Sequence, residues 1–230
     1  MNNNITQYNG LYKDNFGTEN IIVYNDYDML WVEINGMKFE GDEFSDLAIV
    51  EKSTYSEEQL QRFTFIQVPI YQTDIIRETL CNCSFEIIIP QIIIDKQANS
   101  TFLSDLRVEY ERPIPRMGID FDVVKISFVI KEIMYSGQSS DFESAFDQIR
   151  DQFSENYQFK NCYGCMYGDY GVAGNSSFGM MLCFVNQKEQ YKAVTNKNEY
   201  IGLTEDIERV QEIYLCDKFE IRKKGAGYRG

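Results

Sequence analysis

From residue 18 to 136 apolar and polar residues alternate in short runs, the period-two pattern of strands that bury one face. Residues 30–34 and 37–40 flank Asn35-Gly36, a pair that takes positive φ at both central positions of a two-residue turn, so a β-hairpin is expected. Further strands are expected at 47–51, 62–71, 84–94, 106–111 and 123–134, all rich in Ile, Val, Phe or Tyr. Pro113 and Pro115 lack the donor that a central ladder needs, so residues 112–118 read as a connection. Cys81 and Cys83, two apart in an alternating strand, would share one buried face.

The period then changes. Phe142, Ala145, Phe146, Ile149 and Phe153 fall on one helical stripe, and Ser140 with Glu143 has capping-box spacing, so a helix over 141–156 is expected. Short strands are expected at 180–185 and 191–194, with residues 214–215 leading into Cys216. The pattern predicts an α+β fold: mainly an antiparallel β-sandwich or curved sheet, one amphipathic helix, then a small zinc-stapled module. Two domains are expected, a β-rich acidic one at 1–140 and a helix with a four-cysteine module and basic tail at 141–230.

The charge sharpens this division. The 230 residues carry 22 basic and 36 acidic side chains, a net charge of −14. Residues 1–140 hold 11 basic and 22 acidic groups, net −11, against 11 and 14, net −3, in 141–230. Such a chain is ill suited to nucleic acid, whose affinity for proteins comes largely from Lys and Arg, and better suited to a basic protein partner. The most apolar stretch, 87–94, is broken by Pro90 and Gln91 and is too short to span a membrane. The first residues lack the basic and apolar regions of a secretory signal, so a cytoplasmic location is expected.

There is no histidine. That removes Ser-His-Asp and Cys-His catalysis and every histidine metal ligand. Cys162-Tyr-Gly-Cys165, Cys183 and Cys216 then stand out: a Cys-x2-Cys pair with two later single cysteines supplies four thiolates for one structural Zn2+. Buried free thiols and a redox dithiol at Cys162 and Cys165 are the alternatives, the latter weakened by glycines where a helix should start. Lys160, Lys218, Arg222 and Lys223 are candidates to offset the charge of such a site. Asp169 and Glu189 are two carboxylates without a catalytic pattern, and Tyr163, Tyr167, Tyr170, Tyr191 and Tyr214 are expected to pack around the site. The basic tail ending in Tyr228-Arg229-Gly230 is expected to dock on this chain or on a partner.

Residues 162–167, 179–183, 188–191 and 211–216 with the Gly-Tyr-Arg-Gly230 ending together resemble an uncharacterised bacterial family of unknown function with a C-terminal four-cysteine module. The resemblance lies in residues 155–230 and brings no activity. The expected function is a non-catalytic protein-binding module with a structural zinc site, of the immunity or defence-associated kind. A Cys-x-x-Cys redox protein, or an enzyme of unknown reaction using Cys162 and Cys165, is the rival class.

Overall fold

The computed structural model describes residues 5–69, 73–115, 122–171, 178–179, 181–203, 207–223 and 228. Strand dominates. One sheet holds β1 (Thr6–Asp14), β2 (Gly17–Asn25), β3 (Leu30–Ile34), β4 (Met37–Gly41), β5 (Ala48–Ile49), β6 (Thr64–Pro69), β7 (Ile76–Cys81), β8 (Cys83–Asp95), β9 (Ser100–Arg112), β10 (Val123–Ile130), β11 (Ile133–Ser139) and β12 (Tyr157–Phe159). Its hydrogen-bonded order is β11-β10-β9-β8-β1-β2-β3-β4-β5-β7-β6, and β12 joins β8 off that path. A second sheet runs β13 (Gly168–Tyr170), β14 (Met181–Cys183), β15 (Glu208–Val210). The helices are α1 (Glu57–Leu60), α2 (Phe142–Phe153), α3 (Lys188–Ala193) and α4 (Lys197–Leu203). Among the described residues no helix is long and apolar enough to cross a membrane.

The chain forms two compact units, residues 1–89 with 107–125 and residues 90–106 with 126–230. In the first, the Asn35-Gly36 hairpin forms as expected: both residues have positive φ, and Ile34 faces Met37 across the turn. Alternate inward residues gather an aromatic core in which Tyr12 meets Phe85 at 5.3 Å and Phe39 meets Phe63 at 5.0 Å. In the second, the whole predicted stripe of α2 is buried. Its Phe146 lies edge-on to Phe159 at 5.3 Å and stacks on Tyr163 at 4.7 Å, which carries the packing from the helix to the cysteine pair.

The α+β expectation is overturned. Among the described residues the chain is mostly strand, with a large antiparallel sheet and four short α-helices rather than one helix beside a sandwich. No zinc-stapled module stands at its end: among the described residues no group of three or more Cys, Asp or Glu side chains is placed to hold a metal ion. Strand pairing and aromatic packing hold that region instead, with Phe184 stacked on Tyr191 at 4.6 Å and Met181 and Cys183 paired with Val210 and Glu208.

Local differences have local causes. Residues 123–134 are two strands because Lys131 and Glu132 both take positive φ; without an Asn-Gly signal, the turn is held by Lys131 bonding Asp95 at 3.0 Å. Helix α2 is capped by Asp141, which accepts from the Ser144 amide at 2.7 Å, not by Ser140. Residues 191–194, expected as strand, fall in or beside α3, which buries Tyr191; four residues are too few for the period to decide. Cys81 and Cys83 are both buried, yet they flank a bend at Asn82 between β7 and β8.

An outermost strand presents open N–H and C=O groups. On β11 the second unit closes them. Gln148 and Gln152, one turn apart on α2, each pair both amide atoms with the main chain of one β11 residue: Gln148 accepts from Gln138 N at 3.0 Å and donates to its carbonyl at 2.9 Å, while Gln152 accepts from Ser136 N at 3.1 Å and donates to its carbonyl at 2.5 Å. The double substitution Gln148→Ala/Gln152→Ala should cost about 2 kcal/mol, since each internal hydrogen bond is worth on the order of 1 kcal/mol or less net. It should also speed amide exchange in β11 and promote self-association. Unchanged exchange at Ser136 and Gln138 would refute the sealing role.

Candidate metal centre

Three segments of the second unit bring the four cysteines together. After α2 the chain runs along β8 as β12, with Phe159 opposite Ile93 and Lys160 N bonded to Ile92 O at 2.9 Å, and then turns into Cys162. The 212–221 segment flanks this turn on both sides: Cys162 N donates to Tyr214 O at 3.0 Å, Tyr163 N to Glu212 O at 3.1 Å, and Met166 N to Glu220 O at 2.7 Å. Cys165 forms a bridge with Ile221, and Cys216 lies within the same segment. Cys183 arrives on β14, opposite Gly168 of β13.

Two glycines make the approach possible. A Cβ at Gly164 would stand 2.2 Å from the Phe159 carbonyl oxygen, and one at Gly168 2.2 Å from that of Cys162. The buried Gln91 then ties the pieces: its amide accepts from Asn161 at 2.8 Å and donates to Ile213 O at 3.1 Å, while Asn161 accepts from Gly164 N at 3.1 Å. Sequence reading passed over Gln91, Asn161 and Glu212. The signal for the first was a polar residue inside an apolar run.

All four cysteines are free, with Cys162 and Cys165 buried and Cys183 and Cys216 partly exposed. Burial, then the charges of Cys183, Cys165 and Cys216, push the Cys162 thiol well above its usual range, so the four lie in one electrostatic neighbourhood. Burial raises Cys183 as well, against an opposing hydrogen bond from the Val185 amide. Cys216 Sγ accepts from Lys218 N at 3.3 Å. Two sulfurs therefore accept main-chain N–H groups two residues downstream, an arrangement that supports negative charge on sulfur. The redox alternative fares worse, because no helix starts at the pair and a buried, raised Cys162 is a poor nucleophile.

Tyrosine hydroxyls reach four of the surrounding carboxylates, of which Glu220 and Asp147 also pair with Lys188 and Arg150. Tyr170 OH donates to Glu212 at 3.0 Å, Tyr191 OH to Asp169 at 2.6 Å, Tyr167 OH to Glu220 at 3.1 Å, and Tyr163 OH to Asp147. Asp169 is buried and Glu189 lies at the surface beside Lys192, so they form no carboxylate pair. Of the expected cations, Arg222 bonds Gly168 O and Tyr191 OH behind the strand that faces Cys183. Tyr214 is 36% exposed and stands apart from the other, buried tyrosines. Tyr228 does dock on this chain, stacked on the buried Tyr200 at 4.4 Å; Arg229 lies outside the described residues.

Other candidates are slighter. A cleft of about 420 Å³ in the first unit is lined by Glu40, Glu78, Lys52 and Arg77, and Lys52 already pairs with Glu78. Burial, more than the neighbouring Asp46 and Asp42, raises the Glu43 carboxyl to about 7, but Glu43 does not line that cleft.

The two nearby glycines offer a controlled test. Gly168→Ala must push the Cys162 carbonyl away and should cost about 1–3 kcal/mol, whereas Gly171→Ala has nothing within 4 Å to meet and should cost far less. Equal melting temperatures for the two variants would show that the close approach does not matter.

No curated protein and no solved structure matches the chain. Residues 6–168 match the model of a family of unknown function, DUF6304. The match takes in Cys162 and Cys165 but stops short of Cys183, Cys216 and the tail, so it lies mainly in the strand-rich part rather than in residues 155–230. With more than half of its length matched, the chain belongs to the DUF6304 family.

Proposed function

We propose that this protein is a non-catalytic binding module that takes a basic protein partner and holds a zinc ion at Cys162, Cys165, Cys183 and Cys216. The observation that supports the metal is the convergence of four free cysteines from three chain segments, two of them accepting main-chain N–H groups. The thiols as placed do not meet at one point, so binding requires side-chain rotation to reach Zn–S distances of about 2.3 Å. The ion adds to a fold already held by its strands and aromatic core. The basic partner is supported by the net charge of −14 and by a surface on which acidic groups outnumber cations.

Purified protein should contain one zinc per chain by elemental analysis, with an all-sulfur shell by X-ray absorption. Cys183→Ser and Cys216→Ser should each release the metal. A site occupied at a hundred times its Kd contributes about 2.7 kcal/mol, so chelation should lower the melting temperature by several degrees. Metal-replete growth that yields zinc-free protein of unchanged stability would overturn the metal reading.

The partner is tested separately, by capture from the native host at low and high salt. A stoichiometric protein of high isoelectric point, released by salt, is expected. A strictly acidic or nucleic-acid partner would overturn that half.

A further inference from the structure

We infer that β6 is the edge on which the partner docks, by laying an extended, lysine- or arginine-bearing segment alongside it as an added strand. This deepens the basic-partner reading and rests on it. β6 stands last in the strand order, with β7 on one side and, among the described residues, no strand on the other. Six consecutive pairs, from Thr64 opposite Cys81 to Pro69 opposite Ile76, hold it to β7, so it is a firm edge rather than a frayed one.

Nothing described on β6 resembles the device that closes β11. There, two glutamine side chains occupy the outer peptide groups. The β6 sequence Thr-Phe-Ile-Gln-Val-Pro carries no charge and no inward lysine, and its proline stands only at the last position. Those are the usual means by which a sheet edge is kept from pairing, and a six-residue edge without them suits main-chain recognition of an extended peptide.

Charge selects the occupant. Exposed Glu57 and Glu58 on α1 precede β6, and exposed Asp74 follows it in the chain; Arg77 on β7 is the exposed cation nearby. Arg62 is taken by Asp14, and Lys52 by Glu78. Exposed acidic residues on both sides of β6 along the chain favour a cation-bearing segment. A second copy of this chain fits poorly, because pairing two β6 strands would bring together two chains of net charge −14 each.

The test uses a synthetic peptide of alternating threonine and valine with paired lysines at each end, a glutamate-ended counterpart, and a lysine-ended version with alternate amides N-methylated. The lysine peptide should bind the full-length protein and slow amide exchange in residues 64–68, while the other two should not bind. The triple variant Glu57→Lys/Glu58→Lys/Asp74→Lys, which lies on the surface and away from the core, should weaken binding by about tenfold or more. Salt-sensitive binding that survives N-methylation, or leaves β6 exchange unchanged, would overturn the edge while leaving a basic partner in place. Failure of the lysine peptide to bind would overturn the edge as well, and would take the basic-partner reading with it only if host capture also returned no basic protein. Self-association with protection of β6 would overturn the inference in favour of a second copy.

Discussion

The side-chain amide of Gln91 is the constraint on which the candidate centre depends. It sits on the buried face of β8, where neighbouring inward positions are Ile89 and Ile93, and an unpaired amide there would cost on the order of 1–3 kcal/mol. Its partners are therefore compulsory. Asn161, one residue before Cys162, donates to it, and Ile213, three residues before Cys216, accepts from it. One buried polar group thus brings two cysteine-bearing segments against the same strand. Asn161 then holds the Gly164 amide, which shapes the turn between Cys162 and Cys165.

The acidic surplus has an internal counterpart. Carboxylates such as Asp169 and Glu212 are buried beside the cysteines, and tyrosine hydroxyls rather than cations satisfy much of their hydrogen bonding. A hydroxyl donates a hydrogen bond without itself adding positive charge. The charge of Glu212 contributes to raising Cys162. A divalent cation among four thiols would relieve both the crowding of sulfur and this field. The same surplus in residues 1–140 is the ground for the proposed cationic partner.

Family membership covers the strand-rich region and the first cysteine pair, and stops before Cys183 and Cys216. The large sheet lies within the matched residues, and its two outermost strands are treated differently. β11 is sealed by glutamines from α2, whereas β6 has no such closure among the described residues. One edge is thus closed by side-chain amides, while the other is an uncharged six-residue strand.

By itself the sequence determined what depends on neighbours along the chain. Period-two alternation placed most of the strands, Asn35-Gly36 placed a hairpin through its tolerance of positive φ, and the Phe142-to-Phe153 stripe placed the main helix. The Cys-x2-Cys spacing named one half of the candidate centre. Only tertiary structure decided the rest. The turn at Lys131-Glu132 carries no local glycine or asparagine signal, because Asp95 from another strand helps hold it. The segment around Tyr191 was too short for its period to show, and burial against Phe184 made it helix. The sheet's size, and the place of β6 at its end, follow from long-range pairings that leave no periodic trace. Whether Cys183 and Cys216 stand near Cys162 depends on Gly168 pairing and on the Gln91 amide, contacts between residues up to 122 positions apart.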